Sequence, residues 1–308
     1  MMSAEFEMIA ELTDGLAFGP DVRLGPGDDA AVLAPSGDIV ITTDVLIENV
    51  HFKRSWSPAF QTGRKAVAVN VSDVEAMGAE PSAVVIGLAF PRNLDRRWVS
   101  DFQEGVVEEC ARAGASLVGG DLSSSEHIAL GVTALGNLSG RPAVTRAGAR
   151  VGDQVAVCGR LGCSAGGLLV LQRGFGSPKD LVLEQQCPTV PYGQGKVAAE
   201  AGATAMIDIS DGLLQDLGHI CELSGVGIDV RTGALKIHDS LARLAAATGK
   251  DPLGFVLAGG EDHALAATFP AEAELPQDWL RIGTVTSGAE VIVDGMPWTG
   301  SVGWDHFA

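Results

Sequence analysis

The chain has 308 residues, 39 acidic against 21 basic side chains, and a formal net charge of −18 at pH 7. That length suits two domains better than one, and 46% hydrophobic against 19% charged residues is too apolar a mix for a disordered acidic chain. The negative field, with no Lys/Arg cluster to offset it, argues against non-specific binding to nucleic acid or to an anionic membrane. In chain order, Gly25 to Asp29 reads as a turn, Asp38 to Thr43 (DIVITT) as a strand and Gln61 to Met77 as a helix. A strand at Ala83 to Phe90, a helix at Arg97 to Ala113, and strands at Ser116 to Val118 and Ile128 to Leu135 follow. The stretch Gly136 to Asp153 is rich in glycine and small polar residues with little periodicity, and marks a domain boundary. Beyond it come a strand (Gln154 to Cys158), helices (Ser164 to Gln172 and Gly193 to Ala201), a strand (Met206 to Ile209), a helix (Gly212 to Leu223) and a strand (Val291 to Val293). This alternation, with 40 glycines for tight connections, predicts an α/β fold.

The start of the chain carries Glu5, Glu7 and Glu11 instead of a basic leader, and no run of about 18 apolar residues occurs, so a cytoplasmic protein is expected. Five scattered cysteines (Cys110, Cys158, Cys163, Cys187 and Cys221), with no CxxC pair, read as reduced thiols packed as small apolar groups.

Aspartates recur where an apolar strand or a glycine turn stops. They are Asp28 and Asp29 after Gly25-Pro26-Gly27, Asp44 after Thr42-Thr43, Asp121 after Gly119-Gly120, and Asp208 and Asp211 around Ile209-Ser210. Strand alternation puts Thr42 with Asp44, and Asp208 with Ser210, on one face. Asn70 and Asp73 share a helix face toward which Lys65 also points. One aspartate at a helix start is ordinarily a cap; several converging carboxylates repel one another unless a cation joins them. Oxygen ligands suit Mg²⁺ or Ca²⁺, and Mg²⁺ commonly bridges to substrate phosphates, which implies phosphoryl transfer or phosphate hydrolysis. Gly119-Gly120, Gly259-Gly260 and the Gly159 to Gly167 segment that opens a helix offer backbone amides to a phosphate, or serve as plain tight turns. GxxxxGK[ST], kinase and GxGxxG signatures are absent. His51, Arg146 and Trp304 each keep two readings: substrate contact or structural residue, phosphate partner or solvated cation, ligand cover or core packing.

The ordered set GPGDDAAVL (Gly25 to Leu33), TTD (Thr42 to Asp44), His51-Phe52, KAVAVNVSDVEAMGA (Lys65 to Ala79), VGGD (Val118 to Asp121), TRAGA (Thr145 to Ala149), DISDGL (Asp208 to Leu213), GGED (Gly259 to Asp262) and the terminal GWDHF resembles the bacterial thiamine-monophosphate kinase family. The match runs in order over nearly the whole chain. The resemblance places the chain in the superfamily of aminoimidazole ribonucleotide synthetase and selenophosphate synthetase. It implies ATP-dependent conversion of thiamine phosphate to thiamine diphosphate by direct transfer. It also implies a homodimer whose N-terminal mixed sheets pair into a barrel, with residues 1–140 forming a metal- and ATP-binding domain and 141–308 an α/β domain that completes the site. By the same resemblance Asp29, Thr42, Thr43, Asp44, Asp73, Asp121, Asp208 and Asp211 hold several Mg²⁺ ions, some through carbonyls or water. Gly120, Asp121, Arg146 and Ser210 contact ATP, and His51, Glu261 and Trp304 bind thiamine phosphate. No residue is assigned as general base, because the attacking phosphate oxygen is already ionised; Arg146 and the metal ligands stabilise the transition state.

Two positions depart from the family pattern. Gln186 to Tyr192 lacks the arginines of an Arg-Pro-x-Pro-Arg stretch, and His263 stands where an aromatic residue often follows GGED. Selenophosphate synthetase would need a reactive Cys near the N-terminus, whereas the first cysteine is Cys110. His51-Phe52 and GWDHF disfavour the purine branch. The rival of another class is a non-catalytic Mg²⁺- or Ca²⁺-binding protein.

Overall fold

The structure, a computed structural model, describes residues 4–304; Asp305, His306 and Phe307 of the terminal motif lie outside the described residues. It divides into two compact units, one of Met1–Val74 with Ala79–Arg141 and the other of Glu75–Gly78 with Pro142–Ala308.

The first unit comprises α1 (Ala4–Thr13), β1 (Val22–Leu24), β2 (Val32–Leu33), β3 (Ile39–Ile47), α2 (Ala59–Ala76, its last two residues counted with the second unit), β4 (Glu80–Phe90), α3 (Arg96–Ala113), β5 (Ser116–Ser124) and β6 (Ala129–Asn137). Its main sheet has the order β3-β6-β4-β5, antiparallel except for the β4/β5 pair. One face is packed: Val84, Ile86, Leu88, Leu130, Val132 and Ala134 are buried, as are Val67 and Val71 of α2 and Phe102 and Val106 of α3. α2 and α3 touch through glycine, since a Cβ on Gly63 would stand 2.0 Å from the Phe102 carbonyl and one on Gly105 2.0 Å from that of Phe60. The edge strand β3 leaves Ile41 (68%) and Val45 (54%) exposed.

Two predicted strand ends move. The strand begun by DIVITT runs on through Asp44 to Ile47, and the one begun at Ser116 runs through Gly119-Gly120-Asp121 to Ser124. Asp44 and Asp121 therefore stand within strands and not at their ends. Register explains the second case. Gly120 pairs with Ile86, and a Cβ there would lie 2.2 Å from the Ile86 carbonyl, so the glycine permits close strand approach next to a bulge instead of ending the strand.

The second unit holds β7 (Gln154–Cys158), α4 (Cys163–Gln172), α5 (Lys179–Gln186), α6 (Gln194–Glu200), β8 (Ala205–Ile209), α7 (Leu213–Ser224), β9 (Gly227–Val230), α8 (Asp239–Thr248), α9 (Pro252–Ala258), β10 (Ala264–Phe269), β11 (Leu280–Thr286), β12 (Val291–Val293) and β13 (Met296–Pro297). The sheet order is β13-β12-β9-β11-β7-β10-β8, with only β9/β12 parallel. β7, β8 and β10 are buried at every residue, so they read as apolar runs without alternation. All five cysteines are buried and outside any disulfide; burial pushes Cys110, Cys158 and Cys163 up to about 12 and Cys221 to about 11, which leaves these four as inert packing groups. Among the described residues no helix is long and apolar enough to cross a membrane.

Candidate functional site

In the first unit, alternation along β3 turns Thr42 toward α2, where its Oγ1 donates to Asp73 Oδ2 at 2.7 Å; Asn70 Oδ1 accepts the Asp44 amide at 3.0 Å. The strand face of Thr42 and Asp44 thus meets the helix face of Asn70 and Asp73, a contact the sequence reading did not anticipate. Thr43 points to the other face, where its Oγ1 donates to the Val132 carbonyl at 2.8 Å and accepts from Thr133 Oγ1 at 3.2 Å. Asp121 shares that face, because its register partner Gly87 aligns with Gly131 and then with Val45. Three strand spacings separate β5 from β3, about 14 Å. Within one chain, then, Asp121 and Asp44 do not converge. Asp121 Oδ2 accepts from Ser123 Oγ at 2.9 Å, and Asp29 is exposed in its loop with its amide on Asp28 Oδ1 at 2.8 Å. His51 lies in a turn after β3, and Lys65 Nζ donates to its carbonyl at 3.1 Å.

In the second unit the predicted residues gather on one turn after β8. Asp208 is 3% exposed, and its Oδ2 accepts from His263 Nδ1 at 3.2 Å. The Ser210 carbonyl accepts the Glu261 amide at 2.6 Å, and the Ile209 carbonyl accepts the His263 amide at 2.8 Å. Glu261 and His263 both have positive φ (63° and 48°), a conformation that costs energy for such residues and tends to persist at functional sites. The Asp211 carbonyl accepts the Trp304 amide at 3.0 Å, while Gln215 Nε2 donates to both Asp211 Oδ2 (3.2 Å) and the Trp304 carbonyl (3.0 Å). Trp304 is 59% exposed, so its ring is not a core residue. Arg146 is exposed, and its carbonyl accepts from Ser224 at the far end of α7. The helix of 12 residues, roughly 18 Å long, separates that anchor from Asp211.

Two glycine motifs do structural work that their composition does not reveal. The amides of Gly162 and Ser164 at the start of α4 donate to Asp262 Oδ2 (2.5 Å) and Oδ1 (3.0 Å), so an internal carboxylate occupies that helix terminus in place of a phosphate. The Gly259 amide is taken by the Phe255 carbonyl at 2.8 Å as α9 ends. Burial pushes the Asp262 carboxyl up to about 7 against the lowering effect of those two amides. A residue missed from sequence is Asp216, 2% exposed, whose Oδ2 accepts the amides of Asp211 (3.1 Å) and Gly212 (3.0 Å). Burial, then the charges of Asp208 and Asp211, raise it to about 7. An acidic residue in the first turn of a predicted helix was the available signal.

The donors at both places are carboxylate, hydroxyl and carbonyl oxygens, the ligand chemistry of a hard cation such as Mg²⁺. Among the described residues no group of three or more His, Cys, Asp or Glu side chains forms a ready cage. Mg²⁺ commonly binds through one or two carboxylates plus substrate phosphates and water, and the small sets on β3/α2 and at the β8 turn fit that habit.

Two family models match the chain: AIR synthase related protein, N-terminal domain, over residues 27–138, and AIR synthase related protein, C-terminal domain, over 150–295. The thiamine-monophosphate kinase of Mycobacterium tuberculosis is 46% identical over 306 residues, spanning 98% of this chain and 91% of that protein. The crystal structure of thiamine monophosphate kinase from Aquifex aeolicus superposes with a TM-score of 0.80 at 36% identity, covering 95% of this chain and 96% of that one. A structure of AaThiL complexed with AMPPCP and TMP gives 0.81 at 36% identity, covering 98% and 96%.

Proposed function

The chain belongs to the thiamine-monophosphate kinase family of AIR synthase related proteins, and on that premise we propose that it transfers the γ-phosphoryl group of ATP to thiamine phosphate, giving thiamine diphosphate and ADP, by Mg²⁺-assisted direct displacement. The observation that carries this reading is the turn after β8, on which Asp208, Ser210, Asp211, Glu261 and Trp304 meet. It sets metal-type oxygens beside a carboxylate and an exposed indole, the two chemistries that a phosphorylated, cationic heteroaromatic substrate requires.

Attack of one phosphate on another brings polyanions together, so alignment and charge neutralisation are the large terms. Mg²⁺, when bound, would supply that neutralisation. We assign its ligands to Asp29, Thr42, Asp44, Asp73, Asp121, Asp208 and Asp211, and to Thr43 through its carbonyl, since its hydroxyl is engaged on the other sheet face. Gly120, Asp121, Arg146 and Ser210 are assigned to ATP, with the guanidinium of Arg146 steadying the transferred group. Glu261 and Trp304 take the cationic thiamine end, and His51 the substrate as well.

We further assign residues 1–140 to metal binding, ATP binding and dimerisation, and 141–308 to completing the site in a cytoplasmic homodimer. The exposed Ile41 and Val45 of β3 favour a second copy there. Two four-stranded sheets closed into a barrel about an axis along it would set β3 of one copy beside β5 of the other. Such closure would deliver a second copy's Asp121 to Thr43 and Asp44, which one chain holds about 14 Å apart from its own. The test is purified protein with ATP, Mg²⁺ and thiamine phosphate: thiamine diphosphate and ADP should appear together, and neither rising above background overturns the assignment.

A further inference from the structure

Resting on the assignment of Asp211 to Mg²⁺ and of Trp304 to thiamine phosphate, we propose that Gln215 is a positioning residue for both ligands. Its side-chain amide ties the Asp211 carboxylate to the segment that carries Trp304, so one group orients a metal ligand and the ring that covers the substrate.

Residues 301–304 belong to no helix or strand, and three bonds lay them on the start of α7. The Gln215 backbone amide donates to the Val302 carbonyl at 3.2 Å, the Trp304 amide to the Asp211 carbonyl at 3.0 Å, and Gln215 Nε2 to the Trp304 carbonyl at 3.0 Å. The same Nε2 donates to Asp211 Oδ2 at 3.2 Å. A carbonyl and a carboxylate oxygen both accept, so the side-chain nitrogen, and not Oε1, must face them. The two protons of one NH₂ group thus serve a proposed metal ligand and the backbone of a proposed substrate residue far away in sequence.

Gly303 shows that this docking depends on close approach. A Cβ on it would stand 2.4 Å from Gln215 Oε1 and 2.8 Å from both Gln215 Cβ and the Asp211 carbonyl. A flexible amide can give way, but the backbone of Asp211 cannot, so only glycine lets the segment lie where these bonds form. The Trp304 ring is 59% exposed, so core packing does not set its place, whereas its backbone N–H and carbonyl are both held at the turn after β8. The backbone of Asp211 is fixed as well, its amide by Asp216 Oδ2 at 3.1 Å and its carbonyl by Trp304. What remains is the direction of the carboxylate, and Gln215 sets it through one oxygen while the other is left for a cation. An i, i+4 pair of Gln and Asp ordinarily only steadies a helix. The further bond to the Trp304 carbonyl takes this one beyond that role.

The test is isothermal titration calorimetry on the full chain, titrating Mg²⁺ alone and then thiamine phosphate with Mg²⁺ saturating for each protein. Gln215→Met keeps nearly the same volume and removes the donors. It should weaken Mg²⁺ binding about 10-fold and thiamine phosphate binding about 3- to 10-fold. Trp304→Ala retains the backbone carbonyl that Gln215 holds, and should leave Mg²⁺ affinity within about twofold of the parent. In that background Gln215→Met should still weaken Mg²⁺ but add no further loss for thiamine phosphate, because its route to the substrate runs through the ring. If Gln215→Met does not fold, Gly303→Ala decides: it displaces the segment with Gln215 in place. It should cost the same factor of about 3 to 10 for thiamine phosphate in the parent and none in Trp304→Ala. An unchanged Mg²⁺ affinity in Gln215→Met, or a loss for thiamine phosphate that persists undiminished once Trp304 is alanine, overturns the proposal. Should the parent form no thiamine diphosphate yet show this pattern of affinities, the kinase assignment falls and this one stands. Should it turn over thiamine phosphate while Gln215→Met leaves both affinities unchanged, the reverse holds.

Discussion

Removing the Asp262 carboxylate should destabilise the second unit more than any surface change. The N-terminal glycine of α4, Gly162, has φ 75° and no side chain with which to cap the helix. Asp262 supplies both missing acceptors from far along the sequence, to Ser164, 98 residues away, at 3.0 Å and to Gly162, 100 residues away, at 2.5 Å. Asp262 and Ser164 are buried, so Asp262→Ala leaves two amide donors without an acceptor and away from water. At about 1–3 kcal/mol for each, the loss is about 2–6 kcal/mol, which for a unit of this size lowers Tm by roughly 8–16 °C at the centre of that range. Asp262→Asn keeps one oxygen and should fall about midway. Thermal unfolding followed by circular dichroism, with the three proteins at one pH and concentration, reads the order parent, Asn, Ala. An Asp262→Ala protein melting within about 2 °C of the parent would refute the reasoning, because the capping bonds would then carry none of the stability assigned to them.

The same residue sets a pH dependence. Its folded pKa of about 7 lies above the 3.8 of the free group, so the folded protein holds the extra proton in between. Its contribution is complete below about pH 4 and is lost as the pH rises through 7, with a slope of at most about 1.4 kcal/mol per pH unit; the stability of the parent should therefore fall relative to Asp262→Asn between pH 5 and 8, and a difference constant with pH would contradict this. Asp44→Asn or Asp208→Asn should lower kcat about 100-fold or more in the coupled ADP assay, while the Asp44 variant, whose side chain is exposed, keeps the parent Tm. Trp304→Ala should raise KM for thiamine phosphate about 3- to 30-fold with Tm unchanged, since the ring is 59% exposed; an unchanged KM would remove it from the substrate site. Gly120→Ala, whose Cβ would meet the Ile86 carbonyl at 2.2 Å, should cost about 1–3 kcal/mol in urea unfolding and should reduce turnover by displacing Asp121.

What was legible in the sequence follows local periodicity. The alternation of DIVITT placed Thr42 and Asp44 on one face, the three-residue spacing placed Asn70 and Asp73 on one helix face, and the two faces meet. Strand ends were misread where a polar or glycine residue has a tertiary reason to stand inside a strand. Gly120 is such a case, with Ile86 against it, and so is Asp44, on an edge strand where a polar side chain reaches solvent. Ala264–Phe269 (ALAATF) escaped notice because a strand buried on both faces shows no alternation. The work of Asp262 was illegible for another reason. Its partners lie nearly a hundred residues upstream, and in sequence the GGED turn and the Gly159 to Gly167 segment each resemble a phosphate cradle when in fact one fills the other.

The same distinction separates two kinds of carboxylate that composition counts alike. Glu75 is fully buried and accepts the amides of Gly193 (2.7 Å) and Gly195 (2.9 Å); Asp216 and Asp262 accept two amides each, and Glu184 accepts one from Thr189 at 3.0 Å. These carboxylates are held by backbone amides inside the fold, Glu184 also by Arg160 Nη1 at 2.7 Å. Asp29, Asp44 and Asp121 are exposed instead, and Asp208, though buried, shares its carboxylate with His263. A net charge of −18 is thus divided between acids that organise glycine loops and the acids proposed above as Mg²⁺ ligands. On the proposed assignment Mg²⁺ and a phosphate ester would neutralise the second group, so substrate binding should relieve repulsion at the β3/α2 and β8 sites while leaving the capping acids unchanged.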